Sequence, residues 1–213
     1  MMMYLNRECP TAMEFTSFSK VADVTDEDFI ATAMQFEENY LKKQVGVVSH
    51  FLLRNLKGEY ANLLFAKDRE ALKAVEQGFK NDPYARHYMQ QISGSSVTVY
   101  YHSILKKNFL VPEHFSCFEH GIFKVKKEEK YSQRYILDIS QKLEDQYLDL
   151  QDNTLEHFIG MLDEDTYSEI VFGKTLGKTR EVCFGYLQEP IGLELMDIMI
   201  PDTAILDFWY LIA

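Results

Sequence analysis

The 213-residue chain is short of basic charge, of cysteine and of long apolar runs, and each shortage removes a class of function. Lys and Arg number 22 against 33 Asp and Glu, a formal net charge of −11. A nucleic-acid binder needs a basic stripe to displace counterions from phosphates, and an anionic membrane surface asks for the same. Neither partner is expected. Cys9, Cys117 and Cys183 form an odd, scattered set that builds neither a disulfide framework nor a zinc site. No stretch reaches the ~18 apolar residues that span a bilayer, and residues 1–7 lack the apolar core of a signal peptide. A reducing cytoplasm is the expected compartment.

What the chain does have is 46% hydrophobic content and a repeat. Residues 20–105 slide onto 127–212 without a gap and fourteen identities align, where chance would give about five. Lys20/Lys127, Glu37/Glu144, Tyr40/Tyr147, His50/His157, Tyr60/Tyr167, Val75/Val182 and Gly78/Gly185 are among them. A period of 107 residues is too long for a solenoid unit, so each copy is expected to be one subdomain. The predicted organisation is a first repeat over 12–105, a connector over 106–115 and a second repeat over 116–213. Acidity is uneven, net −1 over residues 1–106 and −10 over 107–213; solubility accounts for it.

Each copy reads as the same series of elements. Residues 12–20 alternate loosely as a first strand, with 119–127 as the gapless counterpart. Thr25 and Ser132 cap helices whose apolar stripes run through Phe29, Ala33 and Phe36, and through Ile136, Ile139 and Leu143. Residues 45–55 and 59–65 form a hairpin about Gly58, matched by 154–162 and 166–172 about an acidic turn. Asp68 and Thr175 cap second helices, Pro83 and Pro190 open short third ones, and 96–105 and 204–213 are closing strands. The order β-α-β-β-α-β is the ferredoxin-like unit. The fold class is therefore α+β, two such repeats packed sheet to sheet so that each covers the other's open face.

In that arrangement the chain resembles the dimeric α/β-barrel superfamily, especially its antibiotic-biosynthesis-monooxygenase-like branch. The likeness is clearest in VGVVSHFLLRNLKGEYANLLFAKDREALKAV and the Asp-Pro that follows it at residues 82–83. The resemblance implies a pseudo-dimeric barrel, and because the repeat places both halves in one chain, the monomer is expected to fold alone. The resemblance also implies a cavity for a small hydrophobic or aromatic molecule, sometimes haem, often with no other cofactor. That branch often places Trp at the end of the third strand and His in the second helix. Phe65, Phe172, Val75 and Val182 stand there instead, so no catalytic residue carries over onto those positions.

The residues themselves offer other candidates. His50 and His157 recur in the second strand and suit proton transfer or anion binding near neutral pH; a strand histidine bonded to its neighbours is the plainer reading. On the closing strands Tyr100 and Asp207, and His102 and Trp209, hold equivalent positions on the face expected to point into the barrel. Tyr60 and Tyr167 recur at the start of the third strand and are further candidates for ligand contact. His102 or His157 would move protons, and Tyr100, Asp207 and Trp209 would orient the ligand. The expected function is a small-molecule-binding protein, a cofactor-independent monooxygenase-like enzyme. The alternatives are a non-catalytic ligand sensor or interaction module, and a haem-binding protein. Residues 173–179 fall one residue short of a phosphate loop, and 163–165 lack the spacing of a calcium loop.

Overall fold

Side-chain caps and strand alternation fix the element order of the computed structural model, which describes residues 8–213 and the backbone of residues 3–4. The other residues of 1–7, where no signal peptide is expected, lie outside the described residues. Strands β1 (Met3–Tyr4) and β2 (Ala12–Phe18) lead to helix α1 (Asp26–Asn39), which starts where Thr25 Oγ1 accepts the Asp28 N–H. A hairpin of β3 (Val47–Asn55) and β4 (Tyr60–Ala66) follows. Helices α2 (Arg69–Gly78) and α3 (Pro83–Gln90), capped by Asp68 and Asp82, precede β5 (Thr98–Ile104). The second copy runs β6 (Cys117–Lys124), α4 (Gln133–Gln146, capped by Ser132), β7 (Thr154–Met161), β8 (Thr166–Gly173), α5 (Leu176–Gly185), α6 (Pro190–Ile198) and β9 (Ile205–Leu211).

The chain divides into two compact units. The first comprises residues 1–103, 108–110 and 211–213; its strands run in the order β1-β3-β4-β2-β5. The second comprises 104–107 and 111–210, in the order β7-β8-β6-β9. In each unit the helices cover one face of the sheet. Phe18, Leu52, Tyr60 and Leu64 meet Phe29, Phe36, Leu72 and Tyr88 in the first; Phe123, Ile159 and Tyr167 meet Ile136, Leu143, Val182 and Leu195 in the second. This is the expected α+β class with ferredoxin-like repeats. Among the described residues no helix is long and apolar enough to cross a membrane.

The gapless register fails at the first strand. Glu14 pairs with Leu64, and Glu119 pairs with Val171, the residue equivalent to Leu64. The β2 and β6 strands therefore superpose at an offset of 105 residues, not 107, and Glu14 corresponds to Glu119. The isolated bridges Lys20↔Ile92 and Val125↔Met199 show the same shift, so Lys20 corresponds to Val125 rather than Lys127. The second copy carries two extra residues between its first strand and first helix, where Lys127 bonds the turn residue Asp165 at 2.5 Å.

Three of the repeated identities are one packing device. Tyr40 and Tyr147, at the ends of α1 and α4, donate their hydroxyls to the carbonyls of Val75 and Val182. Those hydroxyls lie over Gly78 and Gly185, where an added Cβ would sit 2.2 Å and 2.0 Å from them. Neither sequence decoy forms a site. Asn153 Oδ1 accepts the Thr175 N–H at the head of α5, closing the loop over 173–179. Asp163 accepts the Asp165 and Thr166 N–H groups as a turn residue, and no metal-binding group occurs among the described residues.

Candidate functional site

Both units bury a carboxylate–histidine pair on the helix-facing side of the sheet. In the first, His50 of β3 has Nδ1 3.1 Å from Glu37 Oε2 of α1 and Nε2 3.1 Å from Asn62 Oδ1 of β4. Tyr88 donates its hydroxyl to the same Asn62 oxygen at 2.8 Å. In the second, Glu144, His157 and Glu169 hold the equivalent positions, so the amide of Asn62 has become a second carboxylate. His157 Nδ1 lies 3.6 Å from Glu144 and Nε2 3.5 Å from Glu169 Oε1. Burial disfavours the imidazolium, but hydrogen bonding and charge from the two carboxylates outweigh it and hold His157 up to about 9. Lys106 braces the pair from outside, its Nζ 2.7 Å from Glu144 and 2.5 Å from Glu156.

A second buried acid stands beside this group. Glu119 is placed on the same sheet face as Glu169 by register, since Glu169 pairs with Gly121 two residues along β6. Burial and the charge of Glu169 push the Glu119 carboxyl up to about 8, against the hydrogen bond from Cys183 Sγ and the charge of His157. Gly121 has no side chain where its counterpart Thr16 donates to Glu14 at 2.7 Å in the first unit. The space left opens into a pocket of about 220 Å³. Glu119, Glu169 and Tyr186 line its floor, Met196 lines a wall, and Phe184 and Leu206 line its mouth. Tyr186 OH is buried there without a close hydrogen-bond partner, and Glu169 Oε1 faces the His157 ring at 3.5 Å.

At the related place the first unit has a wider depression of about 440 Å³, lined by Glu76, Phe79, Lys80, Arg86, Met89 and Gln90. At the positions equivalent to Gln77, Lys80 and Arg86 the second unit carries Phe184, Leu187 and Leu193, each more than half exposed. Exposed apolar side chains around one opening mark a place of contact rather than scattered surface.

The sequence-predicted residues divide between the two sheet faces. His50, His157, Tyr60 and Tyr167 face the helices; Tyr60 lies 4.7 Å from the Phe29 ring and Tyr167 stacks on Phe123. Of these four, His157 joins the pocket cluster, through Glu169. Tyr100 and His102 lie on the opposite face of the first unit, their rings 6.4 Å apart. Asp207 and Trp209 lie on the opposite face of the second, paired across β6–β9 with His120 and Phe118. His120 is fully buried, and desolvation takes its pKa down to about 3, which leaves the ring neutral. Sequence reasoning missed His120, Glu119, Glu169, Cys183 and Tyr186. The run Phe118-Glu119-His120-Gly121, polar residues within an apolar strand, was the available signal.

No protein-family model and no curated protein matches the chain. Solved structures do. A candidate monooxygenase from Fusobacterium nucleatum is 8% identical, with a TM-score of 0.64 over 95% of this chain and 92% of its own. A variant of chlorite dismutase from Candidatus Nitrospira defluvii is 9% identical, TM-score 0.62, over 93% and 90%. A haem-degrading enzyme from Listeria monocytogenes is 11% identical, TM-score 0.52, over 93% and 98%. The likeness is one of fold: the chain has the ferredoxin-like, dimeric α/β-barrel fold, the fold of antibiotic-biosynthesis-monooxygenase-like proteins. Haem does not fit the pocket. No histidine lines it, both nitrogens of His157 face carboxylates, and its volume suits a single aromatic ring; a cavity of roughly 150 Å³ takes benzene.

Proposed function

We propose that the chain binds a small, apolar, single-ring molecule in the helix-side pocket of the second unit and exchanges a proton with it, a monooxygenase-like protein working without a resident cofactor. The observation that carries this is the buried Tyr186 hydroxyl, without a close hydrogen-bond partner, beside the carboxyl groups of Glu119 and Glu169 at the floor of an otherwise apolar pocket. A buried polar group without a partner costs about 1–3 kcal/mol, and a ligand that supplies the partner recovers it. Glu119, protonated at neutral pH, is the group that exchanges a proton when the ligand arrives, and Glu169, held beside the His157 imidazolium, faces the ligand next to it. The monooxygenase name of the Fusobacterium neighbour supports the oxygenase part of this reading.

The test is a thermal-shift screen of single-ring aromatics with the intact chain and with Leu206→Trp, which fills the mouth. The expected result is stabilisation by at least one compound, lost in Leu206→Trp. No stabilisation by any of them, or the same stabilisation in the variant, overturns the pocket assignment.

A further inference from the structure

We propose that the ligand is an organic amine, a single-ring compound whose ammonium group sits between Glu119 and Glu169. This rests on the pocket assignment above and adds the ligand's charge.

The lining holds two carboxylates and no Lys, Arg or His. An anionic ligand would set a second negative charge beside Glu169 in a low-dielectric site, which is unfavourable. A neutral ligand with one hydroxyl would satisfy one acceptor. An ammonium carries three N–H donors, and the floor presents three oxygen-bearing side chains, Glu119, Glu169 and Tyr186. Of these, the Tyr186 hydroxyl lacks a close hydrogen bond, and Glu169 Oε1 has only the His157 ring at 3.5 Å.

Comparison of the two repeats points the same way. The lining positions that differ in charge or size are Asn62 against Glu169, Glu76 against Cys183, Lys80 against Leu187 and Thr16 against Gly121. The second copy has an apolar residue in place of the Lys80 cation, sets its two carboxyl groups together on the sheet at the floor, and leaves open the space above Gly121. These differences favour a cation with an apolar body.

Exchange of charge makes the binding affordable in physical terms. Without ligand, Glu119 holds a proton up to about pH 8, because burial and Glu169 both oppose its ionisation. An incoming ammonium replaces that proton, so the buried charge stays nearly constant. The groups facing Glu119 are Cys117 on its own strand, Glu169 on β8, His157 on β7, and Cys183 and Tyr186 on α5 and the turn after it. Strand β9 adds Leu206 and Phe208, the latter stacked under Arg180 of α5 at 5.6 Å. Among these groups Glu119 lies nearest neutrality and is the one that loses its proton first on arrival of a cation, ahead of His157 at about 9.

Isothermal titration with 2-phenylethylamine, 2-phenylethanol and phenylacetate, isosteres of three charges, tests the proposal between pH 6 and 9. The expected order is amine at least tenfold tighter than alcohol, with no binding of the carboxylate. Amine affinity rises about tenfold from pH 6 to pH 7 and levels off above pH 8, with about one proton released per amine at pH 7. Glu169→Gln, which restores the amide type of Asn62, loses amine binding tenfold or more and keeps alcohol binding. Glu119→Gln removes the pH dependence. Alcohol binding as tight as the amine overturns the charge assignment and leaves the pocket standing. Preference for the carboxylate, pH-independent amine binding in the unaltered chain, or no binding of any of the three overturns the amine proposal.

Discussion

His157 holds its proton against burial, as a cation between carboxylates, whereas Glu119 holds its proton because of burial, as a neutral acid. Both have folded-state pKa values above the unfolded ones, about 9 against 6.5 and about 8 against 4.5. A raised pKa contributes stability at low pH that is lost as pH rises through the folded value. His120, depressed to about 3, works the other way but is neutral in both states above pH 7. Stability is therefore expected to fall by more than about 1 kcal/mol between pH 6.5 and pH 9, read from urea midpoints. An unchanged or rising midpoint would contradict the His157 and Glu119 assignments. His157→Ala should cost roughly 3–5 kcal/mol, because it leaves Glu169 buried beside an emptied position. At this scale the sequence was half legible. Glu37/Glu144 and His50/His157 stood out as identities. Asn62/Glu169 is a substitution, and Glu14/Glu119 is an identity that the two-residue slip conceals. The sheet face of His50 and His157 followed from Glu37 and Glu144 one helix away, a contact that strand alternation alone does not specify.

Helices and strands were legible almost throughout, because caps and apolar stripes mostly agree in both copies; Thr175 is the exception, standing at the head of α5 with its hydroxyl turned to Asn153 Oδ1 instead of capping the helix. The Thr25 and Ser132 caps are used as expected, and Ser132→Ala should cost about 1 kcal/mol. Gly78 and Gly185 carried no such signal, since glycine in a helix reads only as a weak position. Their reason is the tyrosine hydroxyl crossing above them. Gly185→Ala should destabilise by about 1–3 kcal/mol, and Tyr147→Phe in the same chain should recover part of it, since the closest atom to the new methyl is the hydroxyl oxygen. Chemical denaturation of the single and double variants decides the matter. Equal stability of Gly185→Ala and the parent would remove the packing explanation. The insertion between β6 and α4 shows the limit of a gapless comparison: loops absorb added residues, and the register of everything before them moves.

At the scale of the whole chain, the repeat made the fold class legible before any contact was known, since two copies of one element order leave few topologies. The membership of residues 211–213 in the first unit was not legible. Three apolar or small residues after a strand carry no pairing code, yet the Leu52 N–H donates to the Ala213 carbonyl at 2.7 Å and the Ile212 N–H to the Leu52 carbonyl at 2.8 Å. Deletion of residues 211–213 should speed hydrogen exchange at the Leu52 amide while leaving β8 amides protected. Uniform loss of protection, or none, would show that the tail does not complete β3.

This pairing has a consequence on the ribosome. Translation runs at roughly 5–20 residues per second, so on the order of ten seconds or more separates the emergence of Leu52 from that of Ala213. Throughout that interval the nascent first repeat has strand β3 short of two backbone partners, while the acidic repeat is still being made. The order of synthesis thus runs against the order of completion: the part made first is finished last.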